Sequence, residues 1–212
     1  MDNSESVNAY LEVPSGLKYM GECYNGPDYD IATPCEQSCG GTSYSLSGYQ
    51  SNTEVRELTI SIGEYNVGGS TCGPNVNLYA CAKFKVPEQA TWTREGNTVT
   101  VKAEGKSVDC GYYDEDGKTR PPNPLVGKKV AVDIVITCNK LSKSTNKCRN
   151  RNTGPDYNSR SRNYSYNEDC SVEKVGTITV DGAKKTFEFA SFGKWSYKDR
   201  TTTKAPAPKA SG

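Results

Sequence analysis

The chain has 212 residues with nine cysteines, no histidine and a formal net charge of +1. Without histidine it lacks the usual general base near neutral pH, the middle member of Ser-His-Asp and Cys-His systems, and the commonest zinc ligand. A balance of 26 basic and 25 acidic residues gives no overall field for steering onto nucleic acid, and no stretch approaches the roughly 18 apolar residues of a membrane-spanning helix.

Along the chain the recurring period is two, the signature of strands with one buried face. From Ser6 to Val13, Val7, Ala9, Leu11 and Val13 share one face and Asn8, Tyr10 and Glu12 the other. This strand stands at a free end. Residues 1–13 are therefore expected either as the first strand of the chain's own sheet or as a strand exchanged with a neighbouring copy, which would build a filament or coat. Residues 14 to 42, with Pro14, Pro27 and Pro34 among Cys23, Cys35 and Cys39, read as an irregular stapled loop.

Leu58, Ile60 and Ile62 alternate with polar residues, as do Leu78, Ala80, Ala82, Phe84 and Val86. Glu95-Gly96-Asn97 predicts a turn between Trp92 and a strand of Val99, Val101 and Ala103. In the next strand Val130, Val132, Ile134 and Ile136 form one face, while Ala131 and Val135 on the other predict a strand covered on both sides. Residues 139 to 171, rich in Asn, Ser, Arg and Lys, read as a second irregular loop. Asp181-Gly182 between 177–180 and 185–189 predicts a tight hairpin. Residues 201–212 have the Thr, Pro and Ala bias of a stalk, with Thr201, Thr202 and Thr203 as candidate sites of O-glycosylation.

Together these elements predict an all-β, disulfide-stabilised antiparallel β-sandwich, immunoglobulin-like or jelly-roll, with long irregular Cys-bounded loops. The sandwich spans residues 14–200, between the N-terminal strand and the tail. Gly-Pro-Asp-Tyr occurs at both 26–29 and 154–157, a recurrence that turn chemistry alone explains.

Cys23, Cys35, Cys39, Cys72, Cys81, Cys110, Cys138, Cys148 and Cys170 are expected as disulfide partners in an oxidising compartment, so the protein is expected to be secreted, extracellular or at the cell surface. Met1-Asp2-Asn3 does not begin a signal pattern, and a secreted chain is expected to have lost its leader. Loop neighbours suggest Cys72 with Cys81 and Cys148 with Cys170. One cysteine of nine must remain over, for a bond to another molecule or as a free thiol. The closest pair, Cys35-x3-Cys39, lacks the spacing and the histidines of a zinc site.

No catalytic constellation emerges. Tyr112 to Gly117 holds Asp114, Glu115 and Asp116 before a glycine, but a calcium loop in that register would have Tyr112 first and Asn123 last where carboxylates belong. Asp28, Asp30, Asp114 and Asp116 offer only the carboxylate pairs of any acidic surface. Arg149, Arg151, Arg160 and Arg162, with Tyr164 following, are candidate polysaccharide contacts, since mixed basic and aromatic residues hold anionic polymers by charge and stacking. Asn163-Tyr164-Ser165 is an N-glycosylation sequon and predicts an exposed loop there. Trp92, Trp195 and the tyrosines offer material for a sugar-stacking platform.

The sequence reading is thus a non-catalytic extracellular structural or adhesive module, self-assembling by N-terminal strand exchange, with a lectin-like carbohydrate-binding module as the alternative. It implies no cofactor, metal, nucleic acid or membrane span. The partners it implies are further copies of the chain, cell-surface or matrix molecules, and polysaccharide.

Overall fold

The computed structural model describes residues 2–24, 32–52, 56–66, 72, 77–110, 122–154 and 157–204, with the backbone alone for 2, 24, 148–154, 157–162 and 199–204. Every regular element among the described residues is a strand. The larger sheet has eight strands in the spatial order β11 (Ser142–Gly154), β12 (Tyr157–Glu173), β15 (Phe189–Lys204), β1 (Asp2–Pro14), β4 (Gly40–Ser51), β5 (Glu57–Asn66), β6 (Asn77–Lys85) and β9 (Val108–Asp109). The smaller has five, β14 (Ala183–Thr186), β13 (Thr177–Val180), β10 (Lys129–Thr137), β8 (Thr98–Lys106) and β7 (Ala90–Glu95). β2 (Lys18–Tyr24) and β3 (Ala32–Ser38) form a separate two-stranded ribbon. All strand pairs are antiparallel.

The fold is an all-β antiparallel sandwich. Its two sheets bury their alternating apolar residues in one cluster, with Val7, Leu46, Leu58 and Ile60 from the larger and Trp92, Val101, Ile134 and Ile178 from the smaller. Trp92 reaches across to Gly48, where an added Cβ would stand 3.1 Å from the indole and 2.8 Å from Val7. Any side chain at Gly48 would push the sheets apart. Asp181 and Gly182, with φ of 47° and 84°, make the hairpin turn joining β13 to β14, as Asp-Gly requires.

Two arginines close one end of the sandwich. Arg56 pairs with Glu5 at 2.7 Å, donates to the Trp92 carbonyl at 2.8 Å and lies 4.9 Å from the centre of the Trp92 ring. On β7, Arg94 pairs with Glu168 of β12 at 2.7 Å and covers Phe192 of β15 at 5.1 Å. Ion pair and cation–π contact therefore join the sheets where apolar burial ends.

Several expectations are corrected. β1 is paired on both edges within its own chain, Val7 with Gly48 of β4 and Phe192 of β15. Val7, Ala9 and Leu11 are core residues, and Val13 packs partly buried against them, so exchange would break two ladders and empty the core. The segment is an internal strand. Residues 14 to 42 hold β2, β3 and the start of β4, and residues 139 to 171 hold β11 and most of β12, where loops were expected. The strand β15 runs on to Lys204, so the tail's first residues, Thr201, Thr202 and Thr203, are ladder positions opposite Ser161, Arg160 and Ser159. Val135 is 47% exposed: β10 is central within its sheet, but its outer face is open.

Disulfides join Cys23 to Cys35, Cys39 to Cys72, Cys81 to Cys110 and Cys138 to Cys170. Pairing in the ladder explains why the sequence neighbours do not bond. Gly40 opposes Asn66, so the chain leaving β5 returns beside Cys39, where Cys72 lies. Cys81 opposes Val108, which brings Cys110 within its reach. Cys148 opposes Asn163, seven residues from Cys170 and about 24 Å along the strand. Cys170 instead bonds Cys138 at the end of β10, the one disulfide linking the two large sheets. Four bonds use eight of the nine cysteines, so Cys148 has no cysteine left within its chain.

Candidate functional site

β11, β12 and β15 continue the larger sheet as a three-stranded ribbon, and its register sorts the basic residues. Moving outward from the core end, Lys143, Glu168 and Lys194 form one rung, and Thr145, Tyr166 and Ser196 the next. Lys147, Tyr164 and Lys198 follow, then Arg149, Arg162 and Arg200, then Arg151, Arg160 and Thr202. Residues two apart on a strand share a face, so these rungs lie on one face, the same that carries buried Cys170 and Phe192. One face of the ribbon thus runs from apolar core positions to rungs of basic residues.

Glu168 anchors its inner end. Tyr166 donates to it at 2.6 Å, Arg94 binds it at 2.7 Å and Lys143 lies 3.4 Å away. The Tyr166 hydroxyl, then Arg94 and Lys143, hold the carboxyl down at about 2 against the desolvation that opposes them. The same bond raises the Tyr166 phenol. Further out, the Lys147 ammonium stands 6.0 Å over the Tyr164 ring.

Among the described residues the opposite face of the ribbon carries no basic residue: Asp2, Asp169 and Asp199 stand there among Ser, Asn and Thr positions. Trp195 and Tyr197 stack with ring centres 5.5 Å apart and planes 10° from parallel, and Trp195 is 39% exposed. Ser4 and Asn167 flank Trp195 in register, and Ser165 flanks Tyr197. Trp92 is buried in the core and takes no part in such a platform. On the outer face of the smaller sheet lies a shallow groove of about 610 Å³, lined by Gln89, Lys102, Asp133, Thr177, Thr179 and Lys184.

The candidate polysaccharide residues Arg149, Arg151, Arg160, Arg162 and Tyr164 therefore come together, on strands and not on a loop. Sequence reading missed Lys198 and Arg200, whose spacing of two matches that of Arg149 and Arg151. It also missed the Arg94–Glu168 bridge, which joins residues 74 apart. Asn163 sits mid-strand on β12 with partners on both edges, and its side-chain oxygen is buried without a hydrogen bond, so the sequon is not on the expected exposed loop. Asp28, Asp30 and the segment Tyr112 to Gly117 lie outside the described residues. Among the described residues no group of three or more Cys, Asp or Glu side chains is placed to hold a metal, and no helix is long and apolar enough to cross a membrane. The chain matches no protein-family model, no curated protein and no solved structure.

Proposed function

We propose that this protein is a non-catalytic extracellular structural or adhesive module. The observation that carries the reading is the disulfide-locked sandwich with its chemistry-bearing side chains spread over open sheet faces. Four intramolecular disulfides are typical of extracellular proteins. The ribbon presents repeated contacts along a strand, as surface adhesion uses, in place of a concave pocket of convergent polar groups. Assembly by exchange of β1 forms no part of this reading.

A second reading, a lectin-like module for neutral sugars, is favoured by the stacked Trp195–Tyr197 pair among Ser4, Ser165 and Asn167. A ring face offers apolar contact to a pyranose, and adjacent hydroxyl and amide groups meet its rim. Fractionation of the producing cells with non-reducing mass spectrometry tests the first reading: the expected result is protein outside the cell with Cys138–Cys170 oxidised. Protein retained in the cytosol with free thiols would refute it. A glycan array with Trp195→Ala as control tests the second, which fails if no neutral glycan binds in a Trp195-dependent way.

A further inference from the structure

Arg149, Arg162 and Arg200 stand directly opposite one another across three strands, and Arg151 stands opposite Arg160 on the next rung. Neighbouring strands lie about 4.8 Å apart and same-face residues about 6.7 Å, so these positions form a tight array of like charge. Like charges directly opposite destabilise a strand pair. The rungs themselves contain no acid. The next acids on that face, Glu168 and Glu5, lie two rungs inward of Lys147 and are already held, Glu168 by Arg94 and Lys143 and Glu5 by Arg56. A register conflict left without an internal remedy is expected where a ligand supplies the missing charge.

We propose that this face binds a linear sulfated polysaccharide. The inference rests on the extracellular reading and names the partner of the adhesive surface. Arginine forks match planar and tetrahedral oxyanions through paired hydrogen bonds, and an array of them favours a chain of sulfates over a single ion. The cations occupy three successive rungs, about 13 Å along the strands, the length of a few sugar units. Tyr164, beneath Lys147, offers one ring for a sugar to lie against. These rungs provide no succession of aromatic residues, which unpaired nucleic acid would need for stacking.

The test uses the full chain with its disulfides intact, with binding to heparin, hyaluronan, dextran and double-stranded DNA measured across a salt series. Heparin is expected to bind most tightly and to weaken steeply with salt, hyaluronan to bind weakly, and dextran not at all. Arg149→Gln/Arg162→Gln/Arg200→Gln should weaken heparin binding about tenfold or more at 0.15 M salt and leave the melting temperature equal or higher. Lys85→Gln/Lys106→Gln/Lys184→Gln, an equal charge change elsewhere, should alter it less than about twofold. Equal losses in the two triple variants would overturn the proposal, as would DNA binding as tight as heparin. A lower melting temperature in the arginine variant would make those residues structural and overturn it too. A cytosolic location with the heparin pattern intact would refute the extracellular reading while supporting the anion chemistry of the array.

Discussion

Replacing the bond between the two large sheets, with Cys138→Ala/Cys170→Ala, should cost this protein far more than replacing the bond in its side ribbon. The Cys138–Cys170 loop spans 32 residues, for which chain entropy gives about 3.7 kcal/mol at 25 °C. For a chain of this size that lowers the melting temperature by roughly 7–15 °C. Cys23–Cys35 spans 12 residues and the same relation gives about 2.8 kcal/mol. β2 and β3, however, pair only with each other, and Leu17 just before β2 and Met20 on it are 63% and 68% exposed. That ribbon can open while the sandwich stays closed. Guanidinium titration followed by fluorescence of buried Trp92 should therefore show a large loss for Cys138→Ala/Cys170→Ala and under about 1 kcal/mol for Cys23→Ala/Cys35→Ala. Equal losses in the two variants, or a shift below about 3 °C for the inter-sheet one, would refute this division of the fold.

Glu168 ionises in the fold at about 2, below its ordinary 4.5, so its carboxylate stabilises the folded state fully above pH 4.5 and loses that contribution as pH falls through 2. Glu168→Gln should thus be less stable than wild type by about 1–2 kcal/mol near neutrality, allowing for water on the Lys143 side, with the difference shrinking toward pH 2 and vanishing below it; a constant difference across that range would show that charge is not the cause. Deleting residues 1–13 should unfold the protein and yield no competent open groove, because burying Val7 and Leu11 is worth about 1.5–3 kcal/mol each and two ladders go with them. Sedimentation of wild type should show monomer, and filaments that dissolve when those residues are removed would restore strand exchange.

The strands legible in the sequence are those with one wet and one dry face. β8 and β10 alternate because Val101 and Ile134 must be buried while their neighbours meet water, and β5 and β6 alternate in polarity around Ile60 and Ala82 although Ser61 and Cys81, opposite each other, are buried as well. β11 and the outer halves of β12 and β15 carry polar residues on both faces, so hydrophobic alternation has nothing to record there. Their remaining trace is charge at a spacing of two, in Arg149 and Arg151, Arg160 and Arg162, Lys198 and Arg200. Val135 misled in the opposite sense, as an apolar residue on an open face. β1 was legible as a strand, but its place between β4 and β15 depends on partners far along the chain, which local pattern does not encode.

That placement sets when the molecule can be completed. The first strand of the chain and the last lie side by side in the middle of the larger sheet, with Val7 opposite Phe192. As the chain emerges, β1 can dock on β4 early, but its second edge stays bare until β15 arrives, and β12 likewise waits for β15. Until then there are two half-sheets without a seam, each with a raw edge open to the wrong partner. Contacts this distant in sequence close slowly. The chain must therefore have emerged as far as β15 before the protein can bury its own interior, and a chain halted before residue 189 should be a client for chaperones.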